Sequence, residues 1–199
     1  MRLKTKTKLV FGIGINDADY HIGRREFIDG KYKVVWMCPF YITWKEMIRR
    51  CYDSLLHKRQ PTYKECSVCE DWIYFSKFKV WMITQDWENK ELDKDIILSG
   101  NKIYSPDTCV FVESRVNLFM QEKYKKNGLP AGVSSQKNGK YQATGHGKFL
   151  GSYTTPEEAH AVWLAFKLEK AYELAKEQSD ERVAKGLIDR YENYQISDK

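Results

Sequence analysis

The feature that most constrains this chain lies between Gly132 and Glu158. Three short strand-like segments follow one another closely: Gly132-Val133-Ser134-Ser135, Lys140-Tyr141-Gln142-Ala143-Thr144 and Lys148-Phe149-Leu150-Gly151-Ser152-Tyr153. Turn signals separate them, first Lys137-Asn138-Gly139-Lys140 and then His146-Gly147; glycine and asparagine accept the left-handed backbone that tight hairpins need. Thr155-Pro156-Glu157-Glu158 then opens a helix, with threonine as N-cap, proline at the first helical position and acids in the first turn. In the middle strand Lys140, Gln142 and Thr144 alternate with Tyr141 and Ala143, which puts the polar set on one face. The apolar face is expected to pack on Ala159, Val162, Ala165 and Phe166 of the helix, which runs to about Gln178. Ser179 or Asp180 then caps a last helix.

Charge is arranged in blocks. The net charge is +6, and positions 1 to 10 hold four basic residues and no acid. Six lysines (Lys123, Lys125, Lys126, Lys137, Lys140 and Lys148) fall in a stretch from 123 to 156 that contains no Asp or Glu, whereas acids dominate from Glu157 onward. Each phosphate neutralised by such a surface releases counterions, so the pattern suits a polyanionic partner. A solvated basic loop is the plainer reading of the same residues.

Upstream, residues 1 to 40 read as short strands and turns, punctuated by Gly12, Gly14 and Gly30, with Val34-Val35-Trp36 as a strand. From Thr43, a candidate N-cap, Trp44, Met47, Ile48 and Cys51 recur at helical spacing. A second helix is expected from Phe75 to Trp81, with Phe75, Phe78, Lys79 and Met82 on one face. A strand from Leu92, a turn at Gly100-Asn101, a strand at Cys109-Val112 and a helix from Ser114 to about Tyr124 follow. Lys125-Lys126-Asn127-Gly128-Leu129-Pro130 is the best linker in the chain. The expected organisation is therefore an N-terminal segment over 1–40, a domain over 41–126, another over 127–178, and a C-terminal helix over 179–199. No strand–helix alternation of a parallel sheet is present, so the fold class is α+β: small sheets with helices.

The segment Gly132-Val133, Lys140-Tyr141-x-Ala143, Leu150-Gly151-x-Tyr153-x-Thr155-x-Glu157-Glu158-Ala159 resembles the Apetala-type, ethylene-response-like DNA-binding domain. That resemblance implies a three-stranded sheet on one helix that reads double-stranded DNA from its open face. The implied DNA-binding residues are Lys140, Gln142, Thr144 and Lys148, with Gln136 and Lys137 nearby and Lys123, Lys125 and Lys126 on the approach. The family usually carries Arg and Trp on this face. This chain has Lys and Gln, which cannot make the bidentate guanine contact of an arginine.

The stretch from Leu92 to Asn117 is similar to the HNH, or ββα-metal, pattern of phage homing endonucleases, which also occur joined to Apetala-type modules. Upstream, Trp44-x-x-Met47-x-x-Arg50-Cys51-Tyr52 and Val68-Cys69-x-x-Trp72-x-x-Phe75-x-x-Phe78 extend the likeness, so it spans most of positions 40 to 170. The resemblance implies a divalent cation, magnesium or manganese, held by Asp93 and Asn117, with Asn101 as the loop asparagine. Such a metal stabilises the leaving oxygen while a base activates water. Where the pattern has its histidine, this chain has Lys94, and no histidine lies in the segment. A solvated lysine is a poor base; Asp95, or His57 brought in by the fold, would have to act instead. Three readings stay open: an HNH-type endonuclease with Asp93, Lys94, Asp95, Asn101 and Asn117 in its site, a DNA-binding repressor or replication or packaging interference factor that has lost the chemistry, or a protein that acts only on other proteins, with the basic surface incidental.

Five cysteines without an export signal point to a reducing compartment, and the phage likeness to the cytoplasm of an infected bacterial host. The basic start is followed by residues too polar for a signal-peptide core, and no run of about 18 apolar residues exists to span a membrane. Cys66-x-x-Cys69 has zinc-knuckle spacing, and Cys51 and Cys109 are the candidates to complete a structural zinc site. Buried free thiols, which are common, are the simpler reading of the same four residues.

Overall fold

Two adjacent left-handed residues, Asp29 (φ 51°) and Gly30 (φ 76°), make the first turn, of the two-residue type whose twist matches paired strands. Through it β1 (Gly23–Ile28) returns as β2 (Lys31–Met37) in an antiparallel ribbon. These coordinates are a computed structural model that describes residues 9–121 and 128–194. The chain falls into two units that divide between Val112 and Glu113. Of the expected binding residues, Lys123, Lys125 and Lys126 lie outside the described residues, as do the basic start and the first half of the linker. The class is mixed α+β, with six α-helices among the described residues and small sheets, one of them three-stranded and antiparallel.

In the first unit, α1 (Pro39–Tyr52) begins before Thr43: Cys38 occupies the N-cap position and Pro39 the first helical turn. Proline there loses no hydrogen bond, because the first amides of a helix have no partner inside it. Thr43 is inside the helix and its hydroxyl donates to the Pro39 carbonyl. Tyr41, Trp44, Met47, Ile48 and Cys51 form the buried stripe. After α2 (Ser54–Arg59), α3 (Phe75–Ile83) supplies Phe75, Phe78 and Met82 to the same core. Trp72, in a single 3-10 turn, is 1% exposed and packs edge-on against Phe78; its carbonyl accepts from the Trp44 indole at 2.8 Å. Truncating an aromatic so enclosed costs about 3–5 kcal/mol.

Four very short strands frame the loop that follows. β3 (Ser67–Val68) pairs in parallel with β5 (Ile103–Tyr104), and β4 (Glu91–Asp93) pairs antiparallel with β6 (Val110–Val112). The expected long strand from Leu92 to Ile97 is therefore only a stub. It is tied to α1, because the Arg50 guanidinium donates to the Leu92 carbonyl.

The second unit opens with α4 (Ser114–Met120) and continues as the meander β7 (Val133–Ser135), β8 (Tyr141–Gly145) and β9 (Lys148–Tyr153). His146 (φ 49°) and Gly147 (φ 78°) form the β8–β9 turn. The helix α5 (Pro156–Ala175) starts as expected: the Thr155 hydroxyl accepts from the Glu158 amide, and the Glu158 carboxylate accepts from the Thr155 amide. This reciprocal cap contributes about 1 kcal/mol. α6 (Glu181–Glu192) is capped by Asp180.

Val133, Ala143 and Ala159 make the core between sheet and α5. The helix face differs from the expected one: Ala165 is exposed, and Trp163 is buried in its place. Gly132 explains the close fit. Its backbone is left-handed (φ 76°), and an added Cβ would come within 2.0 Å of the Trp163 indole. Across the unit, the Lys167 ammonium is buried; it donates to the Phe119 carbonyl at 2.6 Å and lies 3.7 Å above the Phe119 ring. Tyr191 donates to the same carbonyl, which ties α4 to α5 and α6.

Candidate nucleic-acid interface

The outward face of β7–β8–β9 is assembled from cross-strand neighbours. Ser134, Gln142 and Ser152 are directly opposite one another, and directly opposed residues share a face. Their side chains are linked laterally. Gln136 donates to Gln142 at 3.2 Å, Gln142 donates to Thr144 at 3.0 Å, and Ser152 donates to Gln136 at 2.6 Å. The row is held in place without being buried. Lys137 and Lys140 flank it in the β7–β8 turn and Lys148 begins β9; all three are exposed and make no ion pair among the described residues. The three strands contain no carboxylate. Six of the expected DNA-binding residues, Gln136, Lys137, Lys140, Gln142, Thr144 and Lys148, are thus brought together on this side of the sheet or along its margin.

One residue of this face escaped the sequence reading. A bulge between Ala143 and Thr144 shifts the register, so Phe149 stands opposite Thr144 and is 58% exposed. The signal was the pair Phe149-Leu150: in a half-buried strand two adjacent apolar residues cannot both face the core. Leu150 packs inward and Phe149 is displayed. An exposed ring beside amides and ammonium groups supplies a stacking or methyl-contact surface.

The loop after β4 is built differently. Oδ1 of Asp93 accepts from the amides of Asp95 (2.8 Å) and Ile96 (2.7 Å), while Oδ2 makes no hydrogen bond among the described residues. Burial, reinforced by the nearby Asp95 carboxylate, pushes the Asp93 carboxyl above the ordinary range despite those amides. Lys94 is 6% exposed; its ammonium donates to the Asn101 carbonyl at 2.9 Å and pairs with Asp95 at 3.2 Å. The Asn101 amide donates to the carbonyls of Lys94 and Ile103, both at 2.7 Å, and its oxygen accepts from the Ile103 amide. Lys94 and Asn101 therefore close a reciprocal clasp across the loop. His57 does not come free as a substitute base, because its Nε2 is 2.9 Å from the Arg50 carbonyl. Asn117 is on α4 and belongs to the second unit.

The five cysteines are unpaired; Cys38, Cys51, Cys66 and Cys109 are buried and Cys69 is half-buried. Burial pushes the thiols of Cys51 and Cys109 up to about 12 and raises those of Cys66 and Cys69. Among the described residues no group of three or more His, Cys, Asp or Glu is arranged to hold a metal ion. Around Asp93, the Asp95 carboxylate pairs with Lys94 and the Asn101 amide nitrogen donates to backbone carbonyls. No helix of the described residues is long and apolar enough to cross a membrane.

No protein-family model, curated protein or solved structure matches the chain.

Proposed function

We propose that this protein binds double-stranded DNA through the outward face of β7–β8–β9, and that it acts as a binder, of repressor or interference type, rather than as a nuclease. The observation that carries the reading is the row Gln136–Gln142–Thr144–Ser152: polar side chains aligned by their own hydrogen bonds, left facing water, and flanked by three unpaired lysines. Strands laid against a major groove present amides and ammonium groups to base edges, and lysines at the margin neutralise phosphates. The likeness to Apetala-type domains agrees with this placement.

The alternative is an HNH-type endonuclease of phage origin, with magnesium or manganese at Asp93. What supports it is the Asp93 Oδ2, which the loop leaves without a hydrogen bond. Lys94 and Asn101 count against it, because the donors a catalytic site would use are turned onto the loop's own backbone.

The test is titration of labelled duplex DNA with the purified protein over a range of salt, beside incubation of supercoiled plasmid with magnesium, manganese or EDTA. Salt-steep binding that Lys140→Ala and Gln142→Ala weaken, with no nicking, is the expected result. Metal-dependent nicking that Asp93→Ala abolishes would establish the nuclease, and salt-independent or absent binding would remove the DNA reading.

A further inference from the structure

The β1–β2 ribbon is uncovered on both sides. Phe27, Tyr32 and Val34 are 65%, 72% and 50% exposed, and a lone two-stranded hairpin is marginal in water unless something covers it. Register sorts its side chains. Arg25 faces Val34 and Phe27 faces Tyr32, which puts these four on one face, and the two rings touch edge-on with centroids 5.2 Å apart. Glu26 and Lys33 occupy the other face with Ile28 and Lys31. Both acids of the hairpin are already engaged, Glu26 with Arg24 at 3.3 Å and Asp29 with Lys33 at 2.7 Å. Arg25 and Lys31 make no ion pair among the described residues.

We infer that this ribbon is a second DNA-contacting element, laid into a groove of the duplex with its Arg25–Phe27–Tyr32–Val34 face toward the bases. The inference rests on the DNA-binding reading of β7–β8–β9. A major groove admits a two-stranded ribbon, and arginine makes the bidentate guanine contact that the lysines and glutamines of the sheet cannot. Charge selects DNA over a second copy of the chain: the hairpin carries four basic side chains against two acids, so two copies would bring like net charges together.

The experiment is fluorescence anisotropy of duplex DNA at several salt concentrations with three proteins: wild type, Arg25→Ala, and Lys140→Ala/Gln142→Ala. Their oligomeric state is measured in parallel by light scattering. The ribbon variant is expected to bind roughly tenfold more weakly, with the slope of log affinity against log salt reduced by about 1. Arg25→Lys should keep the slope but lose discrimination at a guanine. If wild type binds and the sheet variant is impaired while the ribbon variant is not, the ribbon inference fails and the sheet reading stands. If wild type does not bind, both fail. A ribbon variant that turns a dimer into a monomer with DNA affinity unchanged would make the ribbon a self-association face and overturn the inference.

Discussion

The loop from Asp93 to Thr108 and the sheet β7–β8–β9 are both rich in polar side chains, but they dispose of them in opposite ways. In the loop, Asp93, Lys94, Asn101 and Thr108 bond to backbone groups of the same segment. In the sheet, Gln136, Gln142, Thr144 and Ser152 bond to one another and leave the backbone to the strand ladder. A polar group whose partners lie within its own segment holds a shape, and its removal leaves those backbone donors and acceptors without their partner. A polar group held sideways by its neighbours and open to water keeps capacity for a ligand. The region most like a nuclease motif in sequence is thus the one organised as a brace, and the sheet is the face we propose for DNA.

The strongest way to break this contrast is Asn101→Ala. Three hydrogen bonds disappear, two of them to carbonyls that close the loop, and the expected loss is about 3 kcal/mol of unfolding free energy, read as a lowered urea midpoint. Lys94→Met should act in the same direction and less severely, because Asp95 is half-exposed and can be solvated when its partner goes. If either variant keeps its urea midpoint and loses a metal-dependent nicking activity instead, the loop is a site and the contrast is wrong.

On the sheet the expectation reverses. Gln142→Ala should leave stability within about 0.5 kcal/mol while weakening discrimination between target and mismatched duplex by about 1–3 kcal/mol, measured by competition binding. Phe149→Ser sharpens the point, since the ring is already exposed: thermal unfolding should hardly move, and DNA affinity should fall a few-fold. A large drop in melting temperature for either would mean that the face is structural after all.

How far each region could be read from the sequence follows the range of the interactions that build it. The second unit announces itself because its signals are local: the His146-Gly147 turn, the Thr155–Glu158 cap and the alternation of β8 each complete themselves within a few residues. Where the alternation breaks, at the Ala143–Thr144 bulge, the reading lost Phe149. The first unit hides more. β3 and β5 are two residues each and meet in parallel across a long separation, with no local signature. The start of α1 was missed because Thr43 is a plausible cap by type, whereas the stripe already includes Tyr41 and proline tolerates only the first turn. At Lys94 charge predicts exposure; the Asn101 carbonyl, several residues on, and the Asp95 carboxylate together make its burial tolerable.

Asp93 offers the finest discrimination, because the two readings predict opposite roles for one carboxyl. In the brace, burial raises its folded-state affinity for protons above that of the unfolded chain. The native state then binds more protons, so the contribution to stability is full below the ordinary carboxylate range and is lost as pH rises through the elevated folded value. Asp93→Asn keeps an oxygen for the amides of Asp95 and Ile96 and removes the buried charge. The variant should therefore match wild type in acid and exceed its thermal stability modestly at neutral pH. Magnesium should shift neither melting curve. A wild-type curve that magnesium raises and an Asp93→Asn curve that it leaves alone would instead mark the Asp93 Oδ2 as a metal ligand, and would return the loop to the chemistry its sequence resembles.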